Sequence, residues 1–148
     1  MRALLQRTSG ASVAVDGTEL ASIGQGLVIL VGVGPEDDES VADALATRIA
    51  ALRIFRDEEG RTNRSLVDVR GEALVISQFT LFAETNRGRR PGFTGAAAPE
   101  QAKRLYLRFA AALRELDVPV KTGEFGAEMA VQLVNDGPFT IWLDTAER

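Results

Sequence analysis

The sequence predicts an α+β fold, in which a mixed, largely antiparallel β-sheet carries two main helices on one face. Three observations support this class. Several segments are short and rich in β-branched residues, two longer segments have the apolar spacing of a helix, and the helices do not alternate regularly with the strands. With 148 residues, 45% of them hydrophobic, the chain can bury a sizeable core, and we predict one domain over residues 1–148.

The first third of the chain is predicted to form three strands. Residues 4–15 have the composition of a strand, and Asp16-Gly17 is typical of a tight hairpin turn leading into a short strand near residues 19–23. A second turn follows at Gly24-Gln25-Gly26. Residues 27–33 are a continuous apolar run rich in Val and Ile, which predicts a strand covered on both faces.

Two segments are predicted to be helices, and each has a recognisable start. Residues 39–52 begin with acidic side chains, which the helix dipole favours, and residues 99–116 begin with Pro99, which suits a first turn. Both segments carry apolar residues at helical spacing, namely Val41, Leu45, Ile49 and Leu52 in the first and Leu105, Phe109, Ala112, Leu113 and Leu116 in the second.

The remaining strands are short. Residues 73–77 are predicted to form another buried strand. Two strands close the chain, over about residues 129–134 and 139–143, and the turn-forming sequence Asn135-Asp136-Gly137-Pro138 separates them. We expect Trp142, like Phe109, to lie in the core because large aromatic residues are mostly buried.

The composition excludes several kinds of chemistry. The chain has no Cys, which removes disulfides, thiolate nucleophiles and zinc–thiolate sites, and no His, which removes the usual general base and the commonest metal ligand. An enzyme with this sequence must therefore use hydroxyls, carboxylates, backbone amides or groups of its substrate. We predict no metal site and no cofactor.

Charge and hydropathy restrict the possible partners. The formal net charge of −4 argues against a protein that coats nucleic acid, DNA included, by nonspecific contacts with phosphates, although a local basic patch is compatible with it. No stretch approaches the roughly 20 apolar residues that span a bilayer. Residues 1–7 meet charge too early for a signal peptide. We expect a cytoplasmic protein with no membrane partner.

Two segments suggest function, but each also has an ordinary structural explanation. Asn86-Arg87-Gly88-Arg89-Arg90-Pro91-Gly92 concentrates three arginines in one loop, where their guanidinium groups either bind the phosphates of a polyanion or are solvated surface charge. Ser77-Gln78-Phe79-Thr80 places polar residues directly after a buried strand, either as part of a site or as a capped strand end.

Taken together, these segments resemble the D-aminoacyl-tRNA deacylase family, formerly called D-tyrosyl-tRNA deacylases. Two motifs carry the resemblance, Ser77-Gln78-Phe79-Thr80-Leu81 and Asn135-Asp136-Gly137-Pro138-Phe139-Thr140, and they occur in the family's order and spacing. The similarity runs essentially from end to end and also includes Leu5-Gln6-Arg7, Ala11-Ser12-Val13, Arg53-Ile54-Phe55, Thr85-Asn86-Arg87-Gly88 and Arg90-Pro91.

The resemblance implies the family's barrel-like core and a homodimer in which the partner subunit completes each active site. Gly137 and Pro138 would be joined by a cis peptide bond and would enter the pocket of the neighbouring subunit. The floor of that pocket would be formed by Ser77, Gln78, Phe79 and Thr80.

The resemblance also implies roles for residues outside the two motifs. Arg7 resembles an arginine that orients the glycine–proline element, and the alternative is an ordinary ion pair on the first strand. Phe125 and Met129 resemble residues that line the pocket of the terminal adenosine, and the alternative is core packing. The tRNA itself would be contacted by Arg87, Arg89 and Arg90.

The implied reaction is hydrolysis of the ester between a D-amino acid and the terminal ribose of tRNA. Activation of the Thr80 hydroxyl as a nucleophile would need a neighbouring base, and the chain has no His. We therefore expect the backbone N–H groups of Phe79 and Thr80 to bind the carbonyl oxygen, while the 2′-hydroxyl of the ribose orients or activates water.

Selectivity would arise from steric exclusion. Rigid backbone at Gly137 and Pro138 would occupy the space that an L side chain needs, whereas a D side chain would point toward solvent. Glycine has no side chain to reject, so glycyl-tRNA, including glycine mischarged on tRNA-Ala, is expected to be a further substrate.

Two other functions remain open from the sequence. A noncatalytic tRNA-binding module would use the arginine-rich loop and would bind tRNA without turnover. A small metabolite-binding domain could be built around Gly32-Val33-Gly34-Pro35, although the acidic residues that follow would repel a phosphate and make a simple turn the better interpretation. The two family motifs favour the esterase over both alternatives.

Overall fold

The computed structural model describes residues 1–147 and confirms the α+β class. Its elements follow in the order β1 (Arg2–Val15), β2 (Thr18–Ile23), β3 (Gly26–Gly32), α1 (Glu39–Ala51), β4 (Phe55–Arg56), β5 (Thr62–Arg64), β6 (Glu72–Ser77), α2 (Pro99–Glu115), β7 (Val120–Thr122) and β8 (Ala130–Asp144). A single turn of 3₁₀-helix, Phe79–Phe82, follows β6 and is here named the site turn.

A mixed sheet organises the molecule around β1. The hydrogen-bonded order is β2-β1-β3-β6-β7, and β8 pairs with β1 as well. The partners of β1 are all antiparallel, whereas β3 with β6 and β6 with β7 are parallel. Because β2 also approaches β6 and β7, the sheet curls toward the barrel-like form that the sequence resemblance implied. The short strands β4 and β5 form a separate hairpin.

The sheet buries apolar side chains on both faces. One face carries α1 and α2 against Leu27 and Ile29, and the other face packs Val28 with the apolar side chains of neighbouring strands. Successive residues of a strand point to opposite faces, so a strand that is covered twice needs apolar residues at every position. The continuous apolar run of β3 is therefore confirmed as a strand that is buried on both faces.

The two helices begin as the sequence predicted. The Asp38 side chain accepts a hydrogen bond from the Val41 amide at 2.9 Å and so caps α1, and Pro99 occupies the first turn of α2. The helices lie beside one another on the sheet, and the Arg108 guanidinium joins them through a 2.5 Å ion pair with Asp43.

The end of the chain corrects a prediction. The two strands predicted on either side of Asn135-Asp136-Gly137-Pro138 are one continuous strand, β8. Gln6 pairs with Thr140 and Thr8 pairs with Asn135, so Arg7 alone faces residues 136–139. These four residues, here named the excursion, leave the ladder as an enlarged bulge. The sequence has the composition of a turn, but pairing with β1 on both sides keeps the strand direction unchanged.

Two smaller predictions also need correction. Three strands lie outside the predicted elements, namely β4, β5 and β7, which are only two or three residues long. Trp142 was predicted in the core and is 43% exposed, because it lies on the outward side of β8 while its neighbour Leu143 points inward. Phe109, by contrast, is confirmed as fully buried.

Among residues 1–147, neither helix has both the length and the apolar character that crossing a bilayer requires.

Candidate active site

The polar motif after β6 lies where the backbone changes direction. Ser77 still pairs with Val31 on β3, and the Gln78 amide donates to the Val31 carbonyl at 2.8 Å. Gln78 then adopts φ −143° and ψ 79°, and the site turn begins at Phe79. The first amides of such a helical turn have no acceptor within it. Among residues 1–147 no other acceptor takes the amides of Phe79 and Thr80, so both donors are unpaired.

A cavity of about 490 Å³ opens beside the site turn. It brings together five of the predicted site residues, namely Ser77, Gln78, Phe79, Phe125 and Met129. Most of the remaining wall is apolar and comes from β3, from the segment before α2 and from the first turns of that helix. A volume of this size accommodates a small-molecule ligand or one end of a larger one.

Two aromatic rings stand at the mouth of this cavity. Phe79 and Phe93 pack edge to face with their ring centroids 4.9 Å apart, and both are exposed. Phe93 was not among the predicted site residues. The only local sign in the sequence that Phe93 could belong to the site is that it is a lone aromatic residue among small residues. This sign becomes useful only when the fold places Phe93 beside Phe79.

The Thr80 side chain has no partner that could act as a base. Its hydroxyl accepts a hydrogen bond from the side-chain amide of Gln78. Glu84, the next carboxylate along the chain, accepts a hydrogen bond from the Asn86 amide at 2.7 Å instead. These contacts leave the Thr80 hydroxyl without activation within the described part of the chain.

The arginine-rich segment is a closed loop next to the site turn. Glu84 and Gly92 exchange backbone hydrogen bonds of 2.7 and 2.9 Å, which joins the two ends of residues 85–91, here named the arginine loop. Within residues 1–147 its three cations form no salt bridge. All three side chains are exposed, namely Arg87, Arg89 and Arg90.

The excursion of β8 is exposed at its tip and fastened at its base. The Gly137-Pro138 peptide bond is cis, and both residues are exposed. The Asn135 side chain accepts a hydrogen bond from the Phe139 amide at 3.0 Å and so closes the base. Gly137 has φ +138°, and an added Cβ there would lie 2.9 Å from the Phe139 nitrogen and 3.2 Å from Nη2 of Arg7, so only glycine fits.

Arg7 supports the excursion from the core side. Its side chain is buried, its Nη1 donates to the Ile54 carbonyl at 2.7 Å, and its Nε donates to the Asp136 carbonyl at 3.1 Å. The guanidinium also stacks on the Phe139 ring, 4.6 Å from its centroid. Burial, and secondly the nearby Arg56, lowers the pKa of Arg7, and Asp136 opposes this change.

The excursion and the cavity lie apart within one chain. Arg7, which faces the excursion, pairs with Leu27 on β3, whereas the cavity begins at Val31 further along the same strand. Neither Gly137 nor Pro138 belongs to the cavity wall of its own chain. Across the described residues there is also no group of three or more carboxylates that could hold a metal ion.

Comparison with known proteins agrees with the fold and identifies the family. The family model for D-Tyr-tRNA(Tyr) deacylase matches residues 4–144. A D-aminoacyl-tRNA deacylase from Thermomicrobium roseum is 61% identical over 147 residues, covering 99% of this chain and 96% of the relative. A protein of the same name from Paracoccus denitrificans is 57% identical over 148 residues, covering 100% of this chain and 99% of the relative.

Two solved structures share the fold. A protein described as the c-Myc DNA unwinding element binding protein has a TM-score of 0.92 and 38% sequence identity, covering 98% of this chain and 99% of its own. A probable eukaryotic D-amino acid tRNA deacylase has a TM-score of 0.82 over 96% of this chain and 97% of its own, and its 19% identity supports the fold alone. The chain therefore belongs to the D-Tyr-tRNA(Tyr) deacylase family of hydrolases.

Proposed function

We propose that this enzyme is an aminoacyl-tRNA editing esterase that hydrolyses D-aminoacyl-tRNA to the free D-amino acid and intact tRNA. The observation that carries the proposal is the unpaired amide of Phe79, which lines a cavity of about 490 Å³, together with that of the adjacent Thr80, which is not itself part of the cavity lining. An aminoacyl ester is labile, so charge stabilisation and a positioned water suffice to hydrolyse it. The backbone amides of the protein would stabilise the negative charge, and a hydroxyl group of the substrate would help to position the water.

The proposed reaction is a simple acyl transfer to water. The oxygen of a water molecule attacks the ester carbonyl carbon, and the carbonyl oxygen becomes an oxyanion that accepts hydrogen bonds from the two amides. The bond from this carbon to the ribose oxygen then breaks. The attacking water gives up one proton, and the ribose oxygen takes up one proton, so the products are the free amino acid and tRNA with its terminal hydroxyl restored. The neighbouring 2′-hydroxyl of the ribose orients or activates the water, so a substrate that lacks this hydroxyl should not turn over.

Thr80 is proposed to act through its backbone. Its hydroxyl accepts from the Gln78 side chain, which has no proton-accepting nitrogen, and Glu84 is engaged with Asn86. Nucleophilic attack by this hydroxyl would need a base that neither contact supplies. Ser77 and Gln78 are proposed to shape the floor of the pocket around the reacting ester.

The chiral filter is proposed to come from a partner subunit in a homodimer. Gly137 and Pro138 are exposed, and Arg7 and Asn135 hold the excursion from below, yet the excursion does not reach its own cavity. A second copy of the chain can supply the missing wall. Rigid backbone placed there would exclude an L side chain by sterics and would leave a D side chain free.

Glycine is proposed as a further substrate of the same site. A filter that works by excluding a side chain has nothing to exclude on glycine, so glycyl-tRNA should enter, including glycine mischarged on tRNA-Ala. Correctly charged glycyl-tRNA would then need protection from outside this chain.

The tRNA is proposed to bind along the mouth of the cavity. The arginine loop follows the site turn and presents three exposed guanidinium groups to phosphates. Phe125 and Met129 line the cavity and also pack against the core, so a role in holding the terminal adenosine does not conflict with core packing. The DNA binding in the name of one structural relative is not proposed here, because the net charge is −4.

Parallel incubation with D-tyrosyl-tRNA and L-tyrosyl-tRNA, following the loss of the esterified amino acid, tests the proposal. Loss of the D ester with the L ester intact is the expected result and would establish the reaction and its stereochemistry together. Equal hydrolysis of both esters would contradict the chiral filter. If tRNA binds but neither ester is cleaved, the chain is a noncatalytic tRNA-binding module.

A further inference from the structure

The position of the site turn is not explained by burial of its side chains. None of its four residues is buried, and Phe79 is 55% exposed. Such a short 3₁₀ segment also has weak internal hydrogen bonds, which here are 3.2 Å from Leu81 to Gln78 and 3.0 Å from Ala83 to Thr80. Its start is fixed to β3 through the Gln78 amide, so its far end needs another anchor.

The side chain of Arg2 provides that anchor. Its Nη1 donates to the Leu81 carbonyl at 3.0 Å, and its Nε donates to the Asp144 carboxylate at 2.8 Å. The guanidinium lies 4.4 Å from the centroid of the Phe82 ring and 5.7 Å from that of Trp142. One planar group therefore connects the last residue of β8 with the last two residues of the site turn.

Phe82 is held equally closely from its other side. A Cβ added to Gly32 or Gly34 would lie 3.1 or 3.2 Å from atoms of the Phe82 ring, so the ring rests against backbone at the end of β3. It is thus enclosed between that backbone and the Arg2 guanidinium. Rotation or lifting of the site turn would separate Phe82 from one of these two surfaces.

We propose that Arg2 is a positioning residue, which fixes the Leu81 carbonyl and thereby directs the amides of Phe79 and Thr80 at the ester. This inference rests on the proposed function of those amides. A shift of about 1 Å in a catalytic group can cost about 100-fold in rate, so even a smaller displacement of the site turn should produce a measurable loss of kcat. Arg2 itself touches neither the substrate nor the reacting atoms.

The first test compares Arg2→Met with Arg104→Met in hydrolysis of D-tyrosyl-tRNA. Arg104 forms an exposed 2.8 Å ion pair with Glu39 and lies on α2, so its variant makes the same chemical change away from the site. We expect Arg2→Met to lower kcat about 10-fold with KM within about twofold, and Arg104→Met to leave both constants unchanged. Unchanged kcat in Arg2→Met would overturn the proposal.

A second test separates positioning from general stabilisation. Arg2, Phe82 and Asp144 line a separate cavity of about 310 Å³, so removing the arginine side chain opens a space into which a small guanidinium ion fits. We expect ethylguanidinium to restore part of the kcat of Arg2→Ala in a saturable manner. If kcat falls only in parallel with the folded fraction and ethylguanidinium has no effect, Arg2 merely stabilises the fold. Should Arg2→Ala not fold, Arg2→Lys replaces it. A lysine keeps the charge but lacks the planar group that donates from two separate nitrogens, so we expect a lower kcat in the folded variant. An unchanged kcat in Arg2→Lys would overturn the proposal.

Amide hydrogen exchange gives a readout that does not depend on the reaction. We expect faster exchange of the Leu81 and Ala83 amides in Arg2→Met, with exchange in the core of α2 unchanged. If the unaltered protein hydrolyses no ester, the proposed function fails, and this readout still decides whether Arg2 holds the site turn. Equal exchange in both proteins would overturn the positioning role.

Discussion

The individual side chains around the candidate active site and the excursion mainly form hydrogen bonds that fix the backbone of these segments. Arg7 donates a hydrogen bond to the Asp136 carbonyl of the excursion, and the Asn135 side chain accepts one from the amide at the other end of it. The Gln78 side chain donates a hydrogen bond to the Thr80 hydroxyl. These groups are neutral amides or a guanidinium, which do not change ionisation between about pH 5 and 8. Under the proposed function, we therefore expect the chemistry to depend on main-chain N–H donors, with the side chains holding these donors in position.

Replacing Thr80 by alanine tests the claim that no side chain attacks. The change removes one hydrogen bond, from Gln78, and keeps the Thr80 amide. A neutral hydrogen bond contributes about 0.5–1.5 kcal/mol, so we expect kcat to fall by no more than roughly 10-fold. Steady-state kinetics with D-tyrosyl-tRNA would measure this. Near-complete loss of activity in a folded variant that still binds tRNA would contradict this claim, because the hydroxyl would then be essential to the reaction.

The ionised Asp144 carboxylate is expected to make the stability of the fold depend on pH. Burial raises its pKa, but hydrogen bonds from the Ala146 amide and the Arg2 guanidinium outweigh this, and the pKa lies below the ordinary value of 3.8. The carboxylate thus stabilises the fold above pH 3.8 and loses this contribution as the pH falls through its folded pKa. We expect Asp144→Asn to lower the Tm at pH 7, with the difference closing in more acidic buffer. A difference in Tm that is constant from pH 7 to pH 3 would contradict this assignment.

The site turn is the element on which the proposed catalysis depends. Its first amide belongs to Phe79, a position where proline fits the backbone because the first residue of a helical turn needs no amide hydrogen. Proline and alanine at this position both lack the phenyl ring, and only proline also lacks the N–H. The two variants therefore isolate the contribution of one donor.

We expect kcat of Phe79→Pro to be about 100- to 1,000-fold below that of Phe79→Ala, the usual cost of removing one oxyanion donor. Rapid single-turnover measurements with D-tyrosyl-tRNA would give the ratio, and circular dichroism would confirm that both variants fold. Equal rates in the two variants would exclude the Phe79 amide from the reaction.

Elements with a strong local pattern could be predicted from the sequence, and long-range pairing could not. The helices are visible in apolar spacing, capping residues and Pro99, and the run at residues 27–33 marks a strand buried on both faces. Whether β8 is one strand or two is decided by its pairing with β1, more than a hundred residues away, and no local pattern records that contact.

The candidate site was predictable only where a motif marks it. Ser77, Gln78 and Phe79 were found through the polar residues that follow β6, and Phe125 and Met129 through the family resemblance. Phe93 was missed, because the cavity joins four segments that are distant in sequence and only the fold brings them together. The outward position of Trp142 was missed for a related reason, since it depends on which side of β8 faces the helices.

At the scale of the whole molecule, the proposed homodimer rests on an exposed excursion that does not reach the cavity of its own chain. A homodimer would have a mass of twice 15.9 kDa, which light scattering can measure. In such a dimer each site combines the site turn of one chain with the excursion of the other. A substitution in the site turn and a substitution in the excursion can then be placed in different chains, and the two variants can be mixed.

Mixing two damaged chains tests this arrangement. Arg7→Gln should loosen the excursion and admit L-tyrosyl-tRNA, whereas Phe79→Pro should be inactive. In a mixed dimer, one of the two sites combines the intact site turn of the Arg7→Gln chain with the intact excursion of the Phe79→Pro chain. That site should be both active and selective. Adding excess Phe79→Pro protein should therefore lower the hydrolysis of L-tyrosyl-tRNA and retain that of D-tyrosyl-tRNA. Unchanged hydrolysis of the L ester, with subunit exchange demonstrated, would place the filter within each chain.

The excursion also constrains how the length of this chain can vary. A surface turn between two strands tolerates an added or deleted residue, but residues 136–139 lie between two paired stretches of one strand. Deleting one of them either shortens the excursion or slides residues 140–144 by one position along β1. Such a slide would turn Ile141 and Leu143 away from the core and bring Thr140 and Trp142 toward it. The fold should accordingly accept insertions and deletions in the arginine loop and reject them in the excursion.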